Sequence, residues 1–342
     1  MLEPTLDQIE SGQNLSVEQM AEAVGVIMDG KSTEDQVARL LVGLQRKGET
    51  VDELVGAAQA MRRHMTPIRT ERTGVLDVVG TGGDGSLTFN ISTAASIVTA
   101  GAGVPVAKHG SIAATSRSGS ADVLKELGVN IEADVEVVEA CLNEIGLCFC
   151  FAPILHPAMR HVAPIRRKLG TPTIFNILGP LANPANAQLQ LLGVSKESLL
   201  EKMAEALIKL GTHRAIVVHG LDGIDEVTLG AATEAVEIAG ENQRRFQWHP
   251  EDFGLQKIKL EEIRVESPKQ SAAKIRSVLQ GKPGPATDIV IANAAAALWT
   301  AGRDSSIGQC ANIARETIES GAAHDMLARL VERTNADPVA SK

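Results

Sequence analysis

One glycine-rich segment constrains this chain more than any other. Residues 78–93 read VVGTGGDGSLTFNIST; a β-branched run over 75–79 leads into them, and an apolar helical pattern follows. Glycine lets the backbone adopt positive φ and lets a ligand approach with no Cβ in the way. A strand, such a loop and a helix in succession direct several backbone N–H groups to one point, which suits phosphate. We therefore predict a phosphate site at this loop.

The loop also contains an acid and a nucleotide-like pattern. Asp84 lies among the glycines, and its carboxylate repels phosphate unless a metal ion or a hydroxyl-bearing ligand intervenes. GTGGDG matches the dinucleotide fingerprint G-x-G-x-x-G, but Ser86–Asn90 separate it from the helix and the next strand ends in Lys108, where NAD needs a carboxylate. A tight turn without a ligand is also disfavoured, because four glycines cost backbone entropy. We predict that the loop binds more than bare phosphate.

Composition narrows the class of protein. The chain has 342 residues, 44% of them hydrophobic, enough to bury the cores of two domains. A net charge of −9 and a lack of Tyr argue against nucleic acid or an anionic membrane as partner. No apolar run of about 18 residues occurs, and the N-terminus is acidic, so we expect a cytoplasmic protein. The four cysteines lack zinc-type spacing and are expected to be reduced structural thiols.

The first 70 residues carry repeated helix start signals. Ser16, Thr33 and Thr50 are each followed three residues later by Gln or Glu and then by an apolar helical pattern, which is the capping-box signature. Gly30 and Gly48 are expected to end the first two of these helices. This pattern predicts a small α-helical domain.

From residue 74 onward, short β-branched runs alternate with helical patterns. This alternation predicts an α/β fold with a mainly parallel central sheet flanked by helices. The predicted parallel strands are 75–79, 104–107, 147–151, 189–194 and 215–218, with an added antiparallel pair at 233–238 and 244–248. The predicted helices are 94–100, 121–127, 135–145, 196–210, 289–300, 307–320 and 325–333. Ligands are expected at the carboxyl ends of the strands.

Three further polar segments follow predicted strands. Lys108–Ser120, KHGSIAATSRSGS, offers cations and hydroxyls that can fold over a polyphosphate, although it also suits a solvated loop, and Ser120 is expected to cap the next helix. The adjacent carboxylates Asp225 and Glu226 can hold Mg²⁺, or they are simply solvated. Residues 156–168 are basic; they form either an exposed helix face or a site where Arg pairs with a substrate carboxylate.

Several motifs in one order resemble the anthranilate phosphoribosyltransferases. They are GTGGDG with TFNIST, KHG with SGSAD, HPAM with IRRKLG, TIFNILGPLANPA and DGIDE. The resemblance implies a small helical domain over 1–70, joined by helices from about 157–188, and a large α/β phosphoribosyl-binding domain over 74–342. It implies a homodimer through the helical domain. It also implies Mg²⁺-dependent transfer of the phosphoribosyl group from 5-phosphoribosyl diphosphate to the amine of anthranilate in tryptophan biosynthesis.

The resemblance also implies roles for individual residues. The phosphoribosyl donor is expected on Gly80, Gly83, Asp84, Thr88, Asn90, Ile91, Ser92, Thr93, Lys108, Gly110, Thr115, Ser116 and Ser120. Anthranilate is expected on Gly80, Ser111, His156 and Arg166, with Arg166 on the carboxylate, and Mg²⁺ on Ser92, Asp225 and Glu226. Lys108 and His109 are expected to be catalytic, with Lys108 on phosphate and His109 orienting the amine or accepting its proton.

Alternatives from the same and other classes stay open at this point. A pyrimidine nucleoside phosphorylase would carry a KHSGR…TGGT-type second loop, and a nucleic-acid-binding relative would have a basic groove and could dispense with Asp225 and Glu226. A phosphoribosyltransferase for another aromatic acceptor is the closer rival. The family's loop usually continues KHGN followed by Arg, whereas this chain has Ser111 and Ile112. Ala182 replaces the Thr of the LGPLTNPA pattern.

The departure at residue 111 generates a direct prediction. Replacing Ser111 by Asn restores the amide that the family places near anthranilate, and it should lower the KM for anthranilate. Steady-state kinetics with anthranilate as the varied substrate measure the effect. An unchanged KM would show that the departure is neutral for acceptor binding.

Overall fold

Four helices form the N-terminal part of the protein. The structure is a computed structural model that describes residues 2–112 and 118–336. The helices are α1 (Glu3–Glu10), α2 (Val17–Met28), α3 (Glu34–Lys47) and α4 (Val51–His64). The capping boxes at Ser16, Thr33 and Thr50 begin α2, α3 and α4 as predicted, and Gly48 ends α3 with a φ of 84°. The sequence pattern did not predict α1.

The remaining helices alternate with strands or close the chain. They are α5 (Ile91–Gly101), α6 (Ser120–Leu127), α7 (Val135–Ala140), α8 (Ala152–Leu155), α9 (Ala163–Leu169), α10 (Phe175–Leu178), α11 (Leu200–Lys209), α12 (Pro268–Leu279), α13 (Pro285–Thr300), α14 (Ile307–Glu319) and α15 (Ala322–Asn335). Short 3₁₀ turns occur at Pro157–His161, Gly179–Leu181, Glu197–Leu199, Pro250–Phe253 and Leu260–Ile263, and a π-helical turn at Cys141–Ile145 follows α7. Helix α12 was not predicted.

A seven-stranded sheet forms the centre of the larger part. Its strands are β1 (Leu76–Gly80), β2 (Val106–Gly110), β3 (Leu147–Phe151), β4 (Leu189–Gly193), β5 (Arg214–Gly220), β6 (Thr233–Ala239) and β7 (Asn242–Trp248). They are ordered β3-β2-β1-β4-β5-β6-β7; β1 to β5 are parallel, and β6 and β7 are antiparallel. The predicted α/β class, the parallel sheet and the antiparallel pair are confirmed.

Two details of the polar segment Lys108–Ser120 were predicted wrongly. Lys108 and His109 lie within β2 rather than in the loop after it, because both continue the parallel register with Phe149 and Cys150 of β3. Ser120 is not the N-cap of α6; that position is Gly119, and Ser120 is the first helical residue. The Ser120 hydroxyl instead donates to the Ser111 carbonyl oxygen, 3.4 Å away.

The strand order creates a crevice between β1 and β4. From β1 the chain proceeds outward to β2 and β3, then returns to place β4 on the other side of β1. Such a reversal leaves an opening at the carboxyl ends of the two diverging strands, where ligands of α/β sheets bind. The glycine loop leaves β1 at this point, and its Thr81 N–H donates to the Gly193 carbonyl oxygen at the end of β4 (2.9 Å).

Two hydrophobic cores cover the two faces of the sheet. One core packs α5, α13 and α14 against one face of the sheet. The other core joins the N-terminal helices to residues of 158–182, α11 and the opposite face of the sheet.

All four cysteines are buried and free. Within the described ranges, no helix combines the length and apolar character that a membrane crossing requires. The domain boundary at residue 70 stays a prediction.

Glu53 provides a test of how the helical part is stabilised. This carboxylate is fully buried; it accepts the N–H groups of Leu15 (2.9 Å) and Thr50 (2.8 Å) and pairs with Lys47 Nζ (2.8 Å). Glu53→Ala should lower the free energy of unfolding by about 3 kcal/mol, because it leaves a buried ammonium group and two N–H groups unpaired. Urea unfolding measures the change.

Gln36 supplies the matched control. It occupies the same capping-box position in α3, and its side chain accepts the Thr33 N–H at 3.1 Å near the surface. Gln36→Ala should lower the free energy of unfolding by only about 1 kcal/mol, because water replaces the lost hydrogen bond. Equal losses for the two variants would contradict the structural role assigned to Glu53.

Candidate active site

The glycine loop adopts a backbone conformation that suits an anion site. Gly82, Gly83 and Gly85 have φ values of 67°, 78° and 72°, a region that suits glycine. Asn90 ends the loop and caps α5, since its Oδ1 accepts the Thr93 N–H at 3.1 Å. The positive end of the α5 dipole therefore faces the loop, as an anion site requires.

The predicted acidic pair packs directly onto this loop. The acidic pair lies between β5 and β6. Asp225 Oδ2 accepts the Gly82 N–H (2.6 Å), and Glu226 Oε1 accepts the Ser92 N–H (3.1 Å). A Cβ atom at Gly80 or Gly193 would collide with Asp225. Glycine at both strand ends is thus what lets the acidic loop approach, and the two segments form one site.

The acids are crowded enough to change their protonation. Removal from water and, to a smaller extent, the neighbouring Asp84 carboxylate raise the pKa of Asp225 to about 7. Burial also raises the pKa of Glu226 well above its usual range, and Asp225 adds to that shift. This crowding of carboxylates is relieved when a cation binds among them.

The oxygen atoms at this site suit a Mg²⁺ ion that also binds water and substrate phosphate. Among residues 2–112 and 118–336, no three His, Cys, Asp or Glu side chains converge into a complete metal cage. Mg²⁺ commonly keeps several waters and is bound by one or two carboxylates together with substrate phosphates. Asp225, Glu226 and the Ser92 hydroxyl offer such a partial set of oxygen ligands beside the phosphate loop.

Lys108 lies beneath the start of α5. It is buried, and its Nζ donates to the Val78 carbonyl oxygen (2.7 Å) and to the Ser92 hydroxyl (3.1 Å). Burial lowers the pKa of Lys108, whereas Asp77, Glu226 and Asp225 act to raise it. The ammonium group is held in one position before any ligand arrives.

His109 and His156 form a buried pair beside β2. Their Nε2 atoms are 3.1 Å apart, and His109 Nδ1 lies 3.0 Å from the Gly179 carbonyl oxygen. Burial lowers the pKa of His109 to about 3 and that of His156 to about 4. Both rings are therefore neutral near pH 7. Because a carbonyl can only accept, His109 carries its proton on Nδ1, which leaves its Nε2 as an acceptor.

The basic segment divides between the interior and the surface. His156 points inward, and Arg166 on α9 is half-buried, with Nη2 donating to Asn176 Oδ1 (3.2 Å). The Arg166 guanidinium lies 5.9 Å from the centre of the Phe175 ring, and burial lowers its pKa. Arg160, Arg167 and Lys168 are exposed, as a solvated helix face would be.

The other predicted residues differ in their surroundings. Ser120 and Gly110 are in contact, and Asn90 Nδ2 reaches the Ser118 carbonyl oxygen at 3.5 Å. The Ile91 side chain is buried in the core, so only its backbone is available to contact the phosphoribosyl donor. Thr115 and Ser116 lie outside the described residues, as does Arg117. The ligand-binding roles of all these residues stay predictions.

Several residues that support the site were not singled out in the sequence. Asn293 on α13 accepts the Val227 N–H (2.9 Å) and donates to the Val227 carbonyl oxygen (2.8 Å), which holds the acidic loop. Ser271 accepts the Asn90 N–H at 2.9 Å, and Asp77 accepts the His109 N–H at 3.1 Å. An Asn within an Ala-rich helix and an Asp within a β-branched strand were signals available in the sequence.

Comparison with known proteins first defines the class. Residues 3–65 match the helical bundle domain of the glycosyl transferase family, and residues 72–324 match its a/b domain. Together these matches cover most of the chain. The protein is thus a two-part enzyme of the glycosyltransferase class.

Individual relatives then define the family. The chain is 50% identical to anthranilate phosphoribosyltransferase of Rhodopirellula baltica, with 94% of each chain covered, and 46% identical to that of Thermomicrobium roseum, with 98% covered. The crystal structure of the Thermus thermophilus enzyme superposes with a TM-score of 0.92 at 42% identity, covering 97% of this chain and 99% of that one. The Saccharomyces cerevisiae enzyme in complex with PRPP and Mg superposes at 0.89 and 30% identity, covering 97% and 98%. This chain belongs to the anthranilate phosphoribosyltransferase family.

The neutral histidine pair predicts an acid-sensitive contribution to stability. In the unfolded chain His has a pKa of about 6.5, so between about pH 6.5 and about pH 4 the unfolded state binds more protons than the folded state. Acidification through this window therefore lowers the free energy of unfolding. His156→Asn should reduce the loss between about pH 7 and about pH 4 by about 2 kcal/mol.

Urea unfolding at a series of pH values measures this difference. His324→Asn, at an exposed position far from the sheet edge, should follow the pH dependence of the unsubstituted protein. The raised carboxyl pKa values of Asp77, Asp225, Glu226 and Asp288 act in the opposite direction in both proteins and cancel in the comparison. An identical pH slope with and without His156 would refute the burial of a neutral ring.

Proposed function

We propose that this protein transfers the phosphoribosyl group of 5-phosphoribosyl diphosphate to the amine of anthranilate, releasing N-(5-phosphoribosyl)anthranilate and diphosphate. This is the step in tryptophan biosynthesis for which its relatives are named. The observation that carries the proposal is the union of the glycine loop with Asp225 and Glu226 beside a buried Lys108. N–H groups, a fixed cation and hard oxygen ligands together suit a magnesium diphosphate.

The donor side of the reaction depends on charge stabilisation. Departure of diphosphate leaves positive charge on the ribose C1 and negative charge on the leaving group. The glycine-loop N–H groups and Lys108 stabilise the negative charge, and Ser92, Asp225 and Glu226 would hold Mg²⁺. When bound, Mg²⁺ neutralises the leaving diphosphate. Asp84 faces the same region and can accept from a ribose hydroxyl or a metal-bound water.

The acceptor side needs orientation more than activation. Anthranilate is an aromatic amine that attacks without a side-chain nucleophile and loses its proton after the bond forms. Arg166 can pair with its carboxylate, which places the amine in line with C1. His109 has a pKa of about 3, which makes it a poor base, so we assign it to orienting the amine rather than to accepting the proton.

We further propose that the protein is a cytoplasmic homodimer formed through the helical residues 1–70. Half-buried apolar side chains remain on these helices, including Val17, Val26 and Val51. Side chains of this kind suit an interface that removes them from water. Sedimentation equilibrium of the purified chain measures the oligomeric state.

Loss of anthranilate fluorescence tests the function. The purified protein with 5-phosphoribosyl diphosphate, Mg²⁺ and anthranilate should consume anthranilate and release one diphosphate for each molecule consumed. Ser111 and the exposed Ile112 favour, as a second candidate, another aromatic amine as acceptor. Stable fluorescence with diphosphate released only when other amines are offered would support that candidate. Absence of diphosphate release with every amine would reject the whole class.

Variants of the acidic pair connect the activity to the site. Asp225→Asn and Glu226→Gln should each lower kcat/KM about 10-fold to 100-fold at a fixed Mg²⁺ concentration. They should also weaken direct Mn²⁺ binding in the presence of diphosphate, measured by electron paramagnetic resonance. Glu205→Gln, an exposed carboxylate on α11, should change neither value. Undiminished Mn²⁺ binding in both acidic variants would contradict the metal assignment.

A further inference from the structure

Backbone pairing between strands β1 and β2 ends after a single pair of residues. Leu76 is in register with Val106, and no further pair along these two strands is bridged by backbone hydrogen bonds. On their other sides both strands remain fully paired, β1 with β4 and β2 with β3, over five residue pairs each. The backbone ladder is therefore missing between β1 and β2 on the approach to the site, although the two strands stay side by side.

Side chains replace the missing backbone ladder. Asp77 Oδ1 accepts the His109 N–H (3.1 Å), Lys108 Nζ donates to the Val78 carbonyl oxygen (2.7 Å), and Asn183 Nδ2 donates to the Ala107 carbonyl oxygen (2.8 Å). Buried backbone groups must find partners, because an unpaired one destabilises the fold. These three contacts supply partners for the backbone of the two strands where the ladder is missing.

Asp77 is the least expected member of this group. It is fully buried at the second position of β1, lies beside the Asn183 side chain, and leaves Oδ2 without a hydrogen-bond partner among the described residues. Burial raises its pKa to about 6. An apolar side chain at this position would leave the buried His109 N–H without its partner. The carboxyl of Asp77 is therefore tied to one backbone group at the end of β2.

We propose that Asp77, supported by Asn183, is a positioning residue that sets the end of β2 and thereby places the His109 imidazole against His156. The inference rests on the acceptor-orienting role given to His109 in the proposed function. Lys108 has its own hydrogen bonds to Val78 and Ser92, whereas within the described ranges the His109 backbone is joined to β1 by a single hydrogen bond, the one to Asp77. Loss of Asp77 should therefore weaken the binding of anthranilate more than the binding of 5-phosphoribosyl diphosphate.

Two substitutions separate shape from charge. Asp77→Asn keeps the shape and an oxygen for the His109 N–H but removes the charge; it should leave kcat within about threefold of the original value. Asp77→Glu keeps the charge but lengthens the side chain, and should lower kcat and raise the KM for anthranilate, together about 10-fold to 100-fold. Asp77→Ala should resemble Asp77→Glu. The KM for 5-phosphoribosyl diphosphate should change less than about threefold in all three.

Glu53 provides the matched control. It is also a fully buried carboxylate that accepts backbone N–H groups beside a lysine, but it lies in the N-terminal helices. Glu53→Gln should lower the thermal midpoint while kcat and both KM values of the folded enzyme stay unchanged. Comparable kinetic losses in Asp77→Asn and Asp77→Ala would overturn the positioning role and show that the charge of Asp77 matters instead. Unchanged kinetics in Asp77→Ala and Asp77→Glu would also overturn it and show that Asp77 serves folding alone.

A readout without turnover keeps the inference separate from the proposed function. In protein labelled with ¹⁵N-histidine, Asp77→Glu should shift the imidazole signals of His109 and His156, whereas Asp77→Asn and Glu53→Gln should leave them in place. Unshifted signals in Asp77→Glu would overturn the inference. An unsubstituted protein that fails to consume anthranilate would refute the proposed function, and the imidazole signals would still decide the position of His109.

Discussion

The site depends on one contact, the hydrogen bond from the Gly82 N–H to Asp225 Oδ2 (2.6 Å). It joins a loop that leaves β1 to a loop that leaves β5, across the point where the strand order reverses. The approach is possible because Gly80 and Gly193 carry no side chain where Asp225 passes. An anion-binding loop and a cation-binding loop are thereby brought within hydrogen-bond distance, which neither segment could achieve alone.

This closeness has an electrostatic consequence. These carboxylates are removed from water and packed close together; burial first, and then their mutual repulsion, raise the pKa of Asp225 and of Glu226. The proposed magnesium diphosphate would balance both kinds of charge: the metal would neutralise the acids, and Lys108 and the loop N–H groups would contact the phosphates. Its binding energy would then come from charges that the fold holds together before the ligand arrives.

A second layer of polar residues holds these groups in position. Asn293 fixes the backbone next to the acidic pair, Ser271 fixes Asn90, and Asp77 fixes the end of β2. Each is a buried polar residue whose partners are backbone groups of a loop or strand end. Such residues make the geometry of the site a property of the packed α/β core rather than of the loops themselves.

The sequence by itself determined the local elements and the chemistry of the site. Capping boxes at Ser16, Thr33 and Thr50 and alternating β-branched runs predict their helices and strands, because these signals depend on neighbouring residues. Only the tertiary structure decided that Lys108 and His109 belong to β2, that His156 faces His109, and that Asp77 replaces a ladder bond. These outcomes depend on register and on contacts between residues distant in the chain, which no local pattern encodes.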